Sequence, residues 1–205
     1  MNAYSEGVFP WPTEGLPMLW YSPKRRGVLD FEDLHLSRTL RSFLKKTPWT
    51  FTVDEAFEEV IASCSDLRKE GTWITPEMKD AYCELHRLGH AHSVEVWDET
   101  RLIGGLYGVD TGFYFAGESM FHRESNASKA ALVCSVGLQK KVGRTWMDIQ
   151  VLSPHTESFG AKEISRDAFK TRIENLKAIV KRIGPSRPFA KGPAFTYGSL
   201  SMDIE

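Results

Sequence analysis

The stretch from Gly104 to Gln150 constrains the fold more than any other part of the chain. It opens GGLYGV, runs through FAGESMF, starts a helix at NASKAALV and closes on WMDIQVL. Apolar runs separated by turn residues, here Asp110-Thr111-Gly112, read as neighbouring strands. A strand alternates its faces with a period of two, so Asp148 and Gln150 share one face while Met147, Ile149 and Val151 share the other. Polar side chains inside an apolar strand are costly to bury unless they have partners or work to do. Three acidic or amide groups, Glu118, Asp148 and Gln150, are placed to meet beside the apolar pocket that the same stretch would line.

The flanks supply the remaining layers. Residues 1–24 are rich in Pro, Trp, Tyr and Gly without clear periodicity and read as an aromatic loop rather than a helix or a sheet. A helix is expected from Ser37, with Leu36, Leu40, Phe43 and Leu44 at staple and helical spacing, and a second from Asp54, with Phe57, Val60, Ile61 and Cys64 on one face. A third has Thr75 as its cap, Pro76 in its first turn and Gly89 at its end. Strands follow at His92–Trp97, Leu102–Val109 and Phe113–Glu118, then a helix over Asn126–Leu138 and a strand over Thr145–Leu152. Ser165 caps a long final helix, and the Gly- and Pro-rich tail from Pro185 is expected to be flexible. Helices, a three-stranded meander, helix, strand and helix make one α/β (α+β) layered domain.

Composition narrows the function class. A chain of 205 residues can bury one good core. No run approaches the roughly 20 apolar residues of a membrane span. The start, MNAYSEGVFPW, lacks the basic flank and apolar core of a secretory leader. Cys64, Cys83 and Cys134 are odd in number and scattered, which fits reduced thiols in a cytoplasmic protein. A net charge of -1 exerts no global pull on nucleic acid, although local basic patches remain.

A meander followed by a helix and a further strand is the pattern of GNAT-type acyltransferases, which makes a GNAT N-acetyltransferase one candidate. Acyl-CoA sites in that fold use a glycine-bearing loop at the start of the helix, whose N–H groups hold the pyrophosphate. The corresponding segment here, Arg123 to Ser128, contains no glycine, and Glu124 adds a repelling charge. Its NAS sequence is equally a helix cap. His86, His90 and His92 with Cys83 superficially resemble a metal site, but Gly89 interrupts the helical spacing and no second cluster completes a coordination sphere, so no metal is expected.

Nine ordered motifs then carry a more specific resemblance: GVFPW (from Gly7), WYSP (from Trp20), GTWIT (from Gly71), LHRLGHAHSVEVW (from Leu85), GGLYGV, GESMF, NASK, DIQ and FGAKEISR (from Phe159). The chain resembles leucyl/phenylalanyl-tRNA–protein transferases along nearly its whole length. The resemblance implies a GNAT-like fold and transfer of Leu or Phe from Leu-tRNA or Phe-tRNA to the N-terminal Arg or Lys of a protein, which marks that protein for N-degron (N-end rule) degradation. An aminoacyl-tRNA is already an activated ester, so neither ATP nor another cofactor is called for. A cytoplasmic monomer is expected. Family members usually carry a further segment before the aromatic GxFPW region. Residues 1–24 are accordingly read as the remnant of a small N-terminal domain, and residues 25–205 as the GNAT-like catalytic domain with its tail from about 185. GESMF is followed by His122 where a small hydroxyl residue is expected. The shortened start keeps a non-catalytic tRNA- or peptide-binding module among the candidates.

By the same resemblance, Gln150 hydrogen-bonds the attacking amine, Asp148 polarises and orients that arrangement, and Glu118 attracts the cationic acceptor or fixes the site's hydrogen bonds. Glutamine is a very weak base, so the ribose 2′-hydroxyl or a water is an equal candidate to carry the proton. The plain alternative is a buried hydrogen-bonded network without catalysis. Leu106, Phe115, Met120, Leu132 and Met147 would form the aminoacyl pocket, Met147 only from the face away from Asp148. Trp11 and Trp73, with Tyr4 and Tyr82, would stack the terminal adenosine. Lys24, Arg25, Arg26, Lys140 and Lys141 would meet tRNA phosphates, as would Arg38, Arg41, Lys45, Lys46 and Arg144. If so, affinity falls steeply with salt.

Overall fold

The computed structural model of the chain describes residues 1–13, 15–66 and 72–200. The elements in chain order are α1 (Asn2–Ser5), β1 (Phe9–Trp11), β2 (Leu19–Tyr21), β3 (Arg25–Asp30), α2 (Arg38–Lys46), β4 (Thr50–Val53), α3 (Phe57–Asp66), α4 (Pro76–Arg87), β5 (Ala91–Asp98), β6 (Arg101–Asp110), β7 (Phe115–His122), α5 (Ala127–Lys141), β8 (Trp146–Gln150), α6 (Pro154–Glu157), β9 (Lys162–Ser165), α7 (Arg166–Ile183) and β10 (Phe195–Thr196). An eight-stranded mixed sheet runs in the order β10-β4-β5-β6-β7-β8-β3-β9, while β1 and β2 form a separate hairpin. The α/β class read from the sequence holds.

Two cores lie on the two faces of the large sheet. The first gathers Leu40, Leu44, Phe51, Val94, Leu106, Phe115 and the inner side of α5. The second gathers Tyr4, Phe9, Val60, Tyr82, Tyr107, Tyr114, Phe169 and Ile173 from the N-terminal segment, α3, α4 and α7. Helix α5 is buried over most of its circumference because the sheet covers one side of it and the C-terminal tail reaches the other. Gly104 allows its close approach: a Cβ there would lie 2.5 Å from the Cβ of Ala127.

Several helix signals act as read. Ser37, Thr75 and Ser165 each accept a backbone N–H three residues on, and Gly89 ends α4 with φ +74. Asn126 differs. It occupies the cap position of α5 with φ 73 and makes no side-chain capping bond, so its contribution is a left-handed backbone, which Asn tolerates. The helix expected from Asp54 starts at Phe57 instead. Asp54 is held at φ 60, and its carboxylate accepts the Ser93 N–H and faces Nδ1 of His92 at 2.7 Å.

Three other expectations are corrected. Residues 1–24 contain α1 and the β1–β2 hairpin, with Tyr4 and Phe9 buried in the second core. The tail is not loose: β10 pairs with β4, and Phe189, Tyr197 and Leu200 are buried in the first core. Strands β3, β4 and β9, unexpected from the sequence, join the three-stranded meander, β8 and β10 in the eight-stranded sheet. They escape a periodicity reading because β3 carries a buried charge, β4 is only four residues long, and β9 is an exposed edge strand. Gly71 of the GTWIT motif lies outside the described residues.

Candidate active site

The site forms where β7 and β8 meet in parallel, bridged at Ala116 and Asp148. Beyond that bridge a cavity of about 290 Å³ opens, lined from β7 by Gly117, Glu118 and Met120 and from β8 by Met147 and Ile149, with Leu106 and Leu132 behind and Ser153 and His155 at its edge. Opposite Tyr107 and Gly108 the register of β6 against β7 shifts, leaving Glu118 as the extra residue of a β-bulge. Bulges re-aim a side chain, and this one turns the carboxylate to the end of β8.

Glu118 gathers three donors. Tyr4 Oη and Gln150 Nε2 each donate to Oε1 at 2.8 Å, and Tyr82 Oη donates to Oε2 at 2.9 Å. Burial pushes the Glu118 carboxyl up to about 7, against the pull of those hydrogen bonds, and the nearby Asp148 charge adds to the rise. Burial, then the Glu118 charge, raises both tyrosines well above their ordinary value, so both stay protonated and donate. When ionised, Glu118 only accepts, which orients the Gln150 amide: its nitrogen meets Glu118 and its carbonyl oxygen turns away.

Asp148 lies behind this array and is fully buried. Arg26 grips it through Nε at 2.8 Å and Nη2 at 2.6 Å. The same carboxylate accepts the Gln150 backbone N–H at 2.9 Å, and Gln150 sits at φ 62. The three polar residues of the opening stretch are thus one connected network, with Met147 and Ile149 on the opposite face as alternation requires.

Other expectations are redistributed. Leu106, Met120, Leu132 and Met147 line the cavity, but Phe115 does not: it is fully buried, packing on Phe189 at 4.5 Å between ring centres. Arg26 is 1% exposed and spent on Asp148, so it is no phosphate ligand. Arg144 is likewise buried, paired with Asp110. Lys24, Arg25, Lys140 and Lys141 are exposed. The first two stand near Gln150, since Gly27 pairs with Gln150, whereas Lys140 and Lys141 close α5 at the far end of β8. Tyr4 and Tyr82 are buried and serve Glu118 rather than offering open stacking faces. Trp11 is 41% exposed and Trp73 is half-buried against the Tyr82 ring.

Sequence reading missed the Arg26–Asp148 pair and the two tyrosine hydroxyls on Glu118. An arginine inside the run RRGVLD was the available signal for the first; nothing local marks the second. The segment tested for acyl-CoA is occupied by protein contacts. Arg123 donates to Leu102 O at 2.6 Å and to Ser63 at 2.9 Å, and Glu124 pairs with Arg101. His86 and His92 both face Asp54. No cluster of three or more metal-ligating side chains occurs among the described residues. No helix among them is long and apolar enough to cross a membrane.

Comparison with known proteins bears on this arrangement. The family model described as leucyl/phenylalanyl-tRNA protein transferase matches residues 28–174, and the model of that family's N-terminal domain matches residues 1–24. A leucyl/phenylalanyl-tRNA–protein transferase of Yersinia enterocolitica is 51% identical over 177 residues, 86% of this chain and 75% of that protein. Those of Shewanella denitrificans and Shewanella baltica are 48% and 49% identical, each over 86% of this chain and 76% of their own length.

Proposed function

The chain belongs to the leucyl/phenylalanyl-tRNA protein transferase family, and on that premise we propose that it moves Leu or Phe from the 3′ end of a charged tRNA to the N-terminal Arg or Lys of a protein, in the cytoplasm. The observation that carries the reading is the cavity between β7 and β8: apolar side chains on one side, and Glu118 hydrogen-bonded to Gln150 on the other. An apolar pocket with few convergent polar groups suits an aliphatic or aromatic amino acid held by its side chain beside a reacting ester.

The chemistry is ester aminolysis. The acceptor nitrogen attacks the ester carbonyl, a C–N bond replaces the C–O bond to the ribose, and the proton lost by the amine ends on the released ribose hydroxyl. An α-amine has a pKa near 8, so about a tenth is neutral at pH 7. Gln150 presents its carbonyl oxygen to that neutral amine and positions it, while Glu118 in its ionised form supplies the negative charge that draws in a basic N-terminus. Asp148 is a positioning residue, because it is fully buried and touches Gln150 and Arg26. Trp11 and Trp73 remain our candidates for stacking the terminal adenosine, and Lys24, Arg25, Lys140 and Lys141 for the phosphates. Residues 1–24 as part of a small N-terminal domain, and the meander, α5 and β8 as a GNAT-like unit, belong to the same proposal.

The test is to incubate the protein with labelled Phe-tRNA or Leu-tRNA and a protein bearing N-terminal Arg, with and without CoA. Transfer that requires the tRNA and ignores CoA is expected. Binding of the tRNA without transfer would favour a non-catalytic module, and acetylation from acetyl-CoA would return the chain to the acetyltransferase reading.

A further inference from the structure

We propose that Arg26 is a positioning residue of the transfer reaction: a strut that locks Asp148, and through it the backbone of Gln150, to the N-terminal segment. The inference rests on the function proposed above. Arginine offers five N–H donors in a rigid planar fork, so it can hold several groups at fixed angles. Here Nε and Nη2 take the two oxygens of Asp148 at 2.8 and 2.6 Å, and Nη1 donates to Gly7 O at 3.0 Å. The guanidinium lies between the rings of Phe9 and Phe169, 4.5 and 4.6 Å from their centroids. One side chain therefore joins the N-terminal segment, the site strand β8 and helix α7. Burial works against the Arg26 cation, and the Asp148 charge and hydrogen bonds, with the Tyr114 and Glu118 charges, together more than offset it.

A buried ion pair is a weak source of stability; its best-attested use is to fix register. The register here needs fixing. Strand β3 slips against β8 between Gly27 and Val28, opposite Gln150 and Asp148. Gln150 holds φ 62, a conformation that a non-glycine residue keeps only when its surroundings impose it. The Asp148 oxygen that accepts from Arg26 Nε also accepts the Gln150 N–H, and that contact sets the Gln150 side chain against Glu118. Without Arg26 the carboxylate is left buried without its cation, and it will reorient. That change releases the Gln150 backbone.

The experiment compares wild type with Arg26→Lys, Arg26→Gln, Asp148→Asn and the double variant Arg26→Gln/Asp148→Asn, at a temperature where circular dichroism shows each folded. Arg26→Lys keeps the charge and loses the fork; the double variant leaves no unpaired charge, so at least one informative protein folds. Misplacing a positioning group by about 1 Å costs on the order of a hundredfold in rate, so kcat for Phe transfer from Phe-tRNA should fall by about that factor in Arg26→Gln. Filter binding of Phe-tRNA should stay within about twofold. If Arg26 acts through Asp148, adding Arg26→Gln to Asp148→Asn should change kcat by no more than about twofold, because coupled residues are not additive. The Gln150 amide should also exchange its hydrogen about tenfold faster in Arg26→Gln than in wild type. Folded Arg26 variants with wild-type kcat, or losses that multiply with Asp148→Asn, overturn the strut. Absence of transfer by the wild type sinks the proposed reaction instead, and the exchange measurement then decides on the strut alone.

Discussion

Replacing Glu118 by glutamine should make the protein progressively more stable relative to wild type as pH rises from about 4.5 to above 7, although it removes a charge bound by three hydrogen-bond donors. Burial carries the Glu118 carboxyl from its ordinary 4.5 to about 7 in the fold. The folded chain therefore holds the proton more tightly than the unfolded chain. Below about 4.5 both states are protonated, and the shift has no effect on stability. Between about 4.5 and 7 the native state binds more proton than the unfolded state, so stability falls as pH rises. Above about 7 the whole penalty is present, on the order of 3 kcal/mol at about 1.36 kcal/mol per pH unit. Glu118→Gln has no such titration. Its altered hydrogen bonds to Tyr4, Tyr82 and Gln150 displace its stability by a constant, not by an amount that varies with pH. Urea unfolding of both proteins at intervals from about pH 4.5 to 8.5 isolates the effect: the stability of the variant minus that of wild type should grow by about 3 kcal/mol across the window. Titrations elsewhere in the chain cancel in the difference. A difference that is flat over this range, or that shrinks with pH, refutes the reasoning and places the Glu118 carboxyl near its ordinary value.

Other substitutions test the framework around the site. Gly104→Ala drives a methyl into Ala127 at the start of α5 and should destabilise by about 1–3 kcal/mol in chemical unfolding. Phe189→Ala should cost about 3–5 kcal/mol, a loss that a flexible tail would not show. Alanine at Lys24 and Arg25 together should weaken Phe-tRNA binding and lower the slope of log affinity against log salt by about 1 per phosphate contact removed. An unchanged slope would remove both residues from the tRNA face.

The meander, helix and strand around the site are legible because local rules govern them. The caps of α2, α4 and α7 are set within one turn, and the period-two pattern of β8 separates Asp148 from Met147 wherever the strand finally lies. The cavity residues Leu106, Met120, Leu132 and Met147 follow from the same apolar runs together with the family resemblance. Phe115 shares that pattern yet is covered by Phe189 from a tail nearly 75 residues downstream, a contact no local rule contains. The tail itself looks flexible by composition, and it is held because α5 leaves an apolar side that Tyr197 and Leu200 can bury.

Spacing along the chain suffices for the α/β order of the elements and the face on which Asp148 and Gln150 stand; most of the apolar lining beside Glu118 follows from it only together with the family resemblance. Strand and helix periodicity are properties of neighbouring residues, so these features need no knowledge of distant contacts. Packing of remote segments was required to make Arg26 an internal partner rather than a phosphate ligand, and to bring Tyr4 and Tyr82 onto Glu118 across 114 and 36 residues of chain. The same packing lifts the Glu118 carboxyl to about 7. Charge and aromaticity can be read from composition, but what a charged group does depends on the water it loses and the partners it gains, and both are fixed only when distant segments come together.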